Sequence, residues 1–300
     1  MKKRNFGKIF IILIILLLAG ITLNETYARR LKENQKISTE DEGKLEVHFL
    51  DVGQGDATLI KQDGHYMLVD GGDNLHAWKL LSDLMYLGVE HLDYIIATHP
   101  DADHIGGLDV IIDHFSCDQV LISECEKDTY SYNEFRAVME EKDIHPTIPE
   151  VGDVFHLGTA EFTILAPSEY YEEVNDNSIA FRLVHGNKRF LFTGDAHRES
   201  EMAMIRERNG LASDVYKVAH HGSRSSSSEL FLLTVRPSYA VISCGADNDH
   251  GHPHGGVLNK LRLLGVKIFR TDEQGTIVAV SDGEKITFNT SPSENWQAGN

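Results

Sequence analysis

Thr98-His99-Pro100-Asp101-Ala102-Asp103-His104-Ile105-Gly106-Gly107 places four groups able to bind a metal within six residues: His99, Asp101, Asp103 and His104. The apolar run Tyr94-Ile95-Ile96-Ala97 leads into it and reads as a buried strand. The polar cluster therefore falls on the turn leaving a strand's C-terminal end, where α/β proteins build their sites. Two imidazoles and two carboxylates this close fold poorly unless something compensates, and a divalent cation does so. The competing reading is a solvated acidic loop with stray histidines. Against it, matching residues recur downstream: Asp195 after Phe192-Thr193-Gly194, and His220-His221-Gly222-Ser223.

Working outward, residues 45–50 alternate as a strand, and Asp51-Val52-Gly53-Gln54-Gly55-Asp56 is a tight turn whose glycines permit positive φ. Residues 57–60 and 66–69 pair as a hairpin around Asp63-Gly64, ending at Asp70-Gly71-Gly72. Helical spacing covers 75–87, closed by Gly88, and a helix is expected over about 104–114. Beyond it come a strand at 120–123, a helix at 132–142 and paired strands at 154–157 and 161–165. A second hairpin, 179–184 with 189–192, turns at Gly186-Asn187. Next are a helix at 198–209, a strand at 214–219, a helix at 226–233, a strand at 239–243, a helix at 255–264 and two closing strands. Both halves begin with a hairpin and set acids or histidines just after strands. That pattern alone indicates an α/β fold with mixed sheets.

The chain is strongly acidic, with a formal net charge of −18. Residues 1–28 hold Lys2, Lys3, Arg4 and Lys8 against Glu25, so the remainder is more acidic still. Such a charge repels nucleic acid at long range and counts against a broad DNA-binding face. A metal-centred site that takes one phosphate at a time remains compatible with it. About 250 residues beyond the N-terminus suffice for one well-cored domain. Cys117, Cys125 and Cys244 give no disulfide framework and read as small buried or half-buried residues; a Cys117–Cys125 bridge is the alternative. Gly-x-Ser-x-Gly, Walker and dinucleotide motifs are missing, so serine-hydrolase and NTPase readings have no support.

Residues 1–8 are basic and residues 9–23 almost purely apolar, reaching roughly 22 Å as a helix. This matches a secretory signal, with Thr26-Tyr27-Ala28 as a cleavage site; an uncleaved membrane anchor is the alternative. Either way the domain is expected to be exported: secreted, or anchored on the extracellular face of the membrane. The division expected is 1–28 signal or anchor, 29–44 polar linker, 45–290 catalytic domain and 291–300 tail.

The metal cluster resembles the signature loop of the metallo-β-lactamase superfamily, His-x-His-x-Asp-His, with Asp101 in place of the second histidine. Together with residues 51–57 and 220–223, it is similar to the hydrolase domain of ComEC-type DNA-uptake competence proteins, over roughly 45–288. The resemblance implies a four-layer αβ/βα sandwich of two mixed sheets with helices outside. It implies two divalent ions, manganese or zinc. His99 and Asp101 would hold one, Asp103 and His104 the other, with Asp195 bridging. His221, or alternatively His220, would be the distal ligand. Asp70 would brace the loop by hydrogen bonds, and Gln54 and Asp56 would shape the site. The third histidine usual in the first site is missing from Asn175-Asp176-Asn177-Ser178, which with Asp101 makes that site oxygen-rich and suits manganese.

Two such ions activate a water, and a phosphodiester's oxygens would bind between them. Asp103, Asp195, His220 and His252 are the candidate catalytic residues, with His252, His254 and His220 able to protonate a leaving alkoxide. Ser223, Arg224, His254 and Asn177 are candidate substrate contacts. For the serines, helix capping is an equal alternative. The expectation is an exported metal-dependent phosphodiesterase, a nuclease acting on DNA, with a DNA-uptake machine as a possible partner. A phosphorylcholine esterase-like enzyme, lactonase or β-lactamase keeps the fold and changes the substrate. A surface binding protein that keeps metal for stability is the non-enzyme alternative.

Overall fold

The computed structural model describes residues 42–207 and 210–299. The chain divides into Met1–Gly43 and Lys44–Asn300, and the fold is that of the second unit. The signal or anchor and nearly all of the polar linker lie outside the described residues. Among the described residues, no helix is long and apolar enough to cross a membrane.

Five strands open the domain: β1 (Leu45–Phe49), β2 (Thr58–Gln62), β3 (His65–Val69), β4 (His91–Ala97) and β5 (Ser116–Ile122). The second sheet takes β6 (Val154–Leu157), β7 (Ala160–Ala166), β8 (Ala180–His185), β9 (Lys188–Phe192), β10 (Val215–Lys217), β11 (Tyr239–Ile242) and β12 (Lys267–Arg270). The chain then returns to the first sheet with β13 (Ile277–Ser281) and β14 (Ile286–Phe288). The sheet orders are β14-β13-β1-β2-β3-β4-β5 and β12-β11-β10-β9-β8-β7-β6, seven strands each.

Each sheet runs from antiparallel hairpins into parallel strands. β3, β4 and β5 are parallel neighbours in the first sheet, as are β9 through β12 in the second. Alternate residues face opposite layers because side chains alternate along a strand. Met67 and Val69 enter the core between the sheets, while Leu68 packs under the first sheet's helices. Phe49 meets Phe192 across the sheets at a 6.1 Å ring separation, and Phe192 stacks on Phe181 at 4.7 Å. The outer helices close two further cores, one with Leu80, Leu84 and Ile111, the other with Phe231, Leu232 and Leu258. The two sheets packed face to face with helices outside make an α/β sandwich, the arrangement that the resemblance implies.

Several boundaries differ from expectation. The helix expected over 104–114 is two, Ala102–Ile105 and Leu108–His114. Gly106 and Gly107 lie between the two, at positions only glycine fits: a Cβ would lie 2.4 Å from Ala102 O and from Gly71 O respectively. β5 begins at Ser116, since its polar start pairs with β4 from His91 onward. Three strands close the chain, not two; Ile277 and Ala279 carry β13 back to the intersheet core beside β1. The cysteines are free, Cys117 half-buried and the others buried, so the Cys117–Cys125 bridge does not form. The segment taken as a tail is bound to the domain. Ser293 N donates to Ile268 O at 2.7 Å, and Gly299 N to Pro253 O at 3.1 Å.

Candidate metal centre

The parallel strands β3, β4, β9 and β10 deliver their C-terminal ends to one place. Asp70 follows β3, His99 to His104 follow β4, Asp195 follows β9, and His220 and His221 follow β10. Asp70, His220 and His221 have φ of 58°, 50° and 52°. This left-handed backbone is disfavoured by about 1–3 kcal/mol per residue and is held by its surroundings.

Asp195 occupies the middle. Its Oδ1 is 3.2 Å from His104 Nε2. Its Oδ2 is 3.7 Å from Nε2 of both His220 and His221, and 4.0 Å from His99 Nε2. His221 Nε2 also lies 3.2 Å from Asp103 Oδ2. His99, His104 and Asp195 offer atoms all within 4.8 Å of one another, as do Asp56, His104 and His221. His99 Nε2, His104 Nε2, His221 Nε2 and Asp195 Oδ1 are buried without a hydrogen-bond partner. Buried polar atoms are ordinarily satisfied. Four convergent atoms left over, each able to ligate once its ring is neutral, are what a divalent cation needs, so the residues fit a metal centre.

The back sides of these ligands are held. Asp70 accepts from Thr98 N and Thr98 Oγ1, each at 2.8 Å, and its Oδ2 faces His104 Nδ1 at 2.8 Å. Asp195 N donates to Ser178 Oγ at 3.1 Å. Burial opposes charge on His104, but the Asp195 and Asp70 carboxylates outweigh it and raise the imidazole well above its ordinary value. Burial likewise opposes charge on His221, which Asp195 and Asp56 lift to about 10. Burial works against the Asp195 carboxylate, yet His104 and His221 hold it well below the usual range. His99 is lowered, by burial and then by His104. Around His104, His221 and Asp195 the field thus favours positive charge, carried by protons or by metal ions, whereas His99 is kept neutral.

Asp101, expected to ligate, is turned to Lys127, whose Nζ lies 2.7 Å from its Oδ1. It belongs to neither convergent group. Asn177, expected to touch substrate, spends its amide on the loop before β8: Oδ1 accepts from Tyr171 N, and Nδ2 donates to Tyr171 O and Glu173 O. The residue is 1 % exposed. Asn175, in the same stretch, borders the histidines, its amide nitrogen 3.3 Å from His197 Nε2 and 3.5 Å from His220 Nδ1.

His252 is 4 % exposed with its Nδ1 unpartnered, and its ring centroid is 5.5 Å from that of His220 and 6.0 Å from that of His221. Burial, then His221 and His220, push it down to about 3; burial brings His220 to about 4. Both are therefore neutral at pH 7, against the expectation of ordinary imidazole acids. Arg224 N donates to His254 Nδ1 at 3.1 Å, and Ser223 lies beside them, its Oγ 3.0 Å from Ser225 Oγ. Helix capping falls to Ser228, which accepts from Phe231 N. His197 and Lys217 went unnoticed in the sequence. His197 follows Asp195 by two residues and stacks on His220 with ring centroids 5.1 Å apart. Lys217 is a buried lysine four residues before His221, and its strand-end position alone did not mark it.

The chain belongs to the metallo-beta-lactamase superfamily, whose family model matches residues 50–246. It is a hydrolase of that superfamily related to competence proteins. ComE operon protein 3 of Bacillus subtilis is 28% identical over 266 residues, covering 82% of this chain and 34% of that protein. Competence protein ComA of Neisseria gonorrhoeae is 31% identical over 240 residues, covering 79% and 32% respectively. The chain thus spans about a third of the length of these curated relatives. Among solved structures, the metallo-beta-lactamase fold protein YhfI from Bacillus subtilis has the same fold, with a TM-score of 0.55 at 12% identity over 79% of this chain and 100% of that one.

Proposed function

We propose that this chain is an exported, metal-dependent phosphodiesterase that cleaves DNA. The observation that carries the metal-dependent part is the convergence of three unpartnered buried imidazole nitrogens on Asp195. His99 and Asp195 would hold one ion, and Asp103, His104, His221 and Asp195 the other. Bound there, two divalent ions supply the Lewis acidity that activates water and neutralises phosphoryl oxygens. Manganese and zinc both suit a donor set that mixes imidazole with carboxylate.

The chain's own residues supply the rest. Asp195 keeps the two halves of the centre in register. Arg224, at the exposed rim beside His254, would attract a phosphate. His252, neutral and buried beside His220 and His221, would donate its N–H to the leaving oxygen. Relatives named as competence proteins support DNA as substrate and a DNA-uptake machine as partner. Residues 1–28 would direct the domain out of the cell, secreted or anchored at the membrane's outer face.

A second reading has one observation in its favour. An open cleft of about 890 Å³ adjoins His197 and is lined by Glu169, Glu172, Glu173, Asp176 and Glu199 against Arg198, an excess of negative charge. Such a wall repels a long polyanion and suits a small diester with a cationic group, as a phosphorylcholine esterase-like enzyme would take.

The test is turnover by metal-free full-length protein reloaded with Mn²⁺ or Zn²⁺. Labelled single- and double-stranded DNA would be offered beside bis-p-nitrophenyl phosphate and p-nitrophenyl phosphorylcholine. Metal-dependent DNA cleavage that is lost in Asp195→Ala is the expected result. Hydrolysis of the small diesters with DNA left intact would move the assignment to the second reading. Full activity in Asp195→Ala would reject the centre as drawn.

A further inference from the structure

We propose that Lys217 is a positioning residue for the metal centre, acting through Asp56 on His221; this rests on the two-ion reading above. Lys217 ends β10 in the second sheet, whereas Asp56 lies in the turn after β1 in the first. The lysine Nζ is 2.8 Å from Asp56 Oδ2 and also donates to Val218 O at 3.3 Å. Their side chains are 4% and 6% exposed. An ammonium buried this deeply is tolerated only with a partner, so the pair joins the two sheets directly behind the site.

Asp56 is tied on its other sides to the metal loop. Its N–H donates to Asp103 O at 3.0 Å, and its carbonyl accepts from Gly72 N at 2.8 Å. That approach requires glycine at 55, where φ is 144° and a Cβ would lie 2.4 Å from Asp103 O. The free Oδ1 of Asp56 has no hydrogen-bond partner and lies 3.4 Å from His221 Nδ1. The same Nδ1 lies 3.0 Å from Ser243 O. With a carboxylate and a carbonyl facing it, Nδ1 carries the proton. In the neutral ring that ligation requires, Nε2 then presents its lone pair to the space beside Asp103 and Asp195.

Lys217 decides which of two things Asp56 does. Asp56 is close enough to His104 and His221 to complete a three-residue ligand set. Engaged by the ammonium, it stays behind His221, its Oδ1 carboxylate charge facing Nδ1, and out of the metal's shell. Without the ammonium, the carboxylate is a lone buried charge next to a cation site.

The experiment counts Mn²⁺ bound, from the electron paramagnetic resonance signal of the free ion, in wild type, Lys217→Met and the double variant Asp56→Asn/Lys217→Met. The double variant removes both charges and keeps the volumes, so its Tm is expected to exceed that of Lys217→Met. Its second equivalent of Mn²⁺ is expected to bind at least ~10-fold more weakly than in wild type, the first equivalent unchanged. A double variant with native affinity for both equivalents would show that the pair serves folding alone and would overturn the proposal. Wild type that takes up fewer than two ions would overturn the two-ion reading and this role with it.

Discussion

Asp70 braces His104 from behind, its Oδ2 2.8 Å from the ring's Nδ1 while the ring's Nε2 faces Asp195 at 3.2 Å. Both Asp70 oxygens are used, since Thr98 N and Oγ1 also donate to them. Asp70→Asn would set an amide N–H against one of these donors in a fully buried place. The expected outcome is a ~10–100-fold loss of metal affinity and a stability loss of about 1–3 kcal/mol. A chelator titration and a urea unfolding curve check the two separately. Unchanged metal affinity would reduce Asp70 to a loop brace.

The raised pKa values of His104 and His221 make metal uptake a proton exchange. Without metal both rings are protonated at pH 7, since His104 is held well above 6.5 and His221 near 10. Ligation needs neutral imidazoles, so loading at pH 7 should release about two protons. Calorimetry in buffers of different ionisation enthalpy reads that number directly. The linked stability follows in sign. A folded pKa raised above the unfolded 6.5 contributes fully below pH 6.5 and is lost as pH rises through about 10. The Tm of metal-free protein should therefore fall between pH 6.5 and 10. Loaded protein should hold its Tm over the same range, because the ions replace the protons.

Much of this site was legible because its residues follow strand ends, and strand ends are marked by apolar runs such as Tyr94 to Ala97. Asp70, the 99–104 cluster, Asp195 and the histidine pair were placed in order on that basis. The family resemblance supplied the two-sheet sandwich, because hydrophobic alternation cannot tell which layer a strand joins. The split at Gly106-Gly107 was missed because helical spacing continues across it. The close packing of Gly71 and Asn74 against those two glycines involves residues remote in sequence, which spacing cannot reveal. Lys217 was missed for a related reason. A strand-end lysine reads as solvated until the partner that buries it, 161 residues away, is known.

Asp101 separates sequence pattern from geometry. Its position in the motif suggests a ligand, but its carboxylate is committed to Lys127 and both side chains are partly exposed, 27% and 38%. An exposed pair of this kind contributes only about 0–1 kcal/mol. Asp101→Asn is therefore expected to change Tm little and to leave two ions per chain by elemental analysis. A fall to near one ion would return Asp101 to the ligand set and place Lys127 as its resting partner. His99→Ala is the control, expected to cut the content to near one, since its unpartnered Nε2 is the first site's histidine donor.

His252 stands at the edge of the centre with no bond to any ligand. Its loop is fixed by Asn248, whose Oδ1 accepts from His252 N at 2.9 Å and whose Nδ2 donates to His252 O at 2.7 Å. The ring is thus held by backbone, and its removal should disturb the loop little. Burial and the neighbouring imidazoles hold it near 3, so at neutral pH it acts as a neutral N–H donor and carries no proton to give up. His252→Ala is expected to lower kcat by about 10²–10³-fold, the cost of losing one preorganised hydrogen-bond donor, with KM and metal content close to wild type. The acid limb of the kcat profile should not show a step near pH 6.5 in either protein, because His252 does not titrate there. A wild-type step at 6.5 that vanishes in His252→Ala would mean that bound substrate restores an ordinary imidazole acid. Loss of a metal ion in the variant would make His252 a ligand.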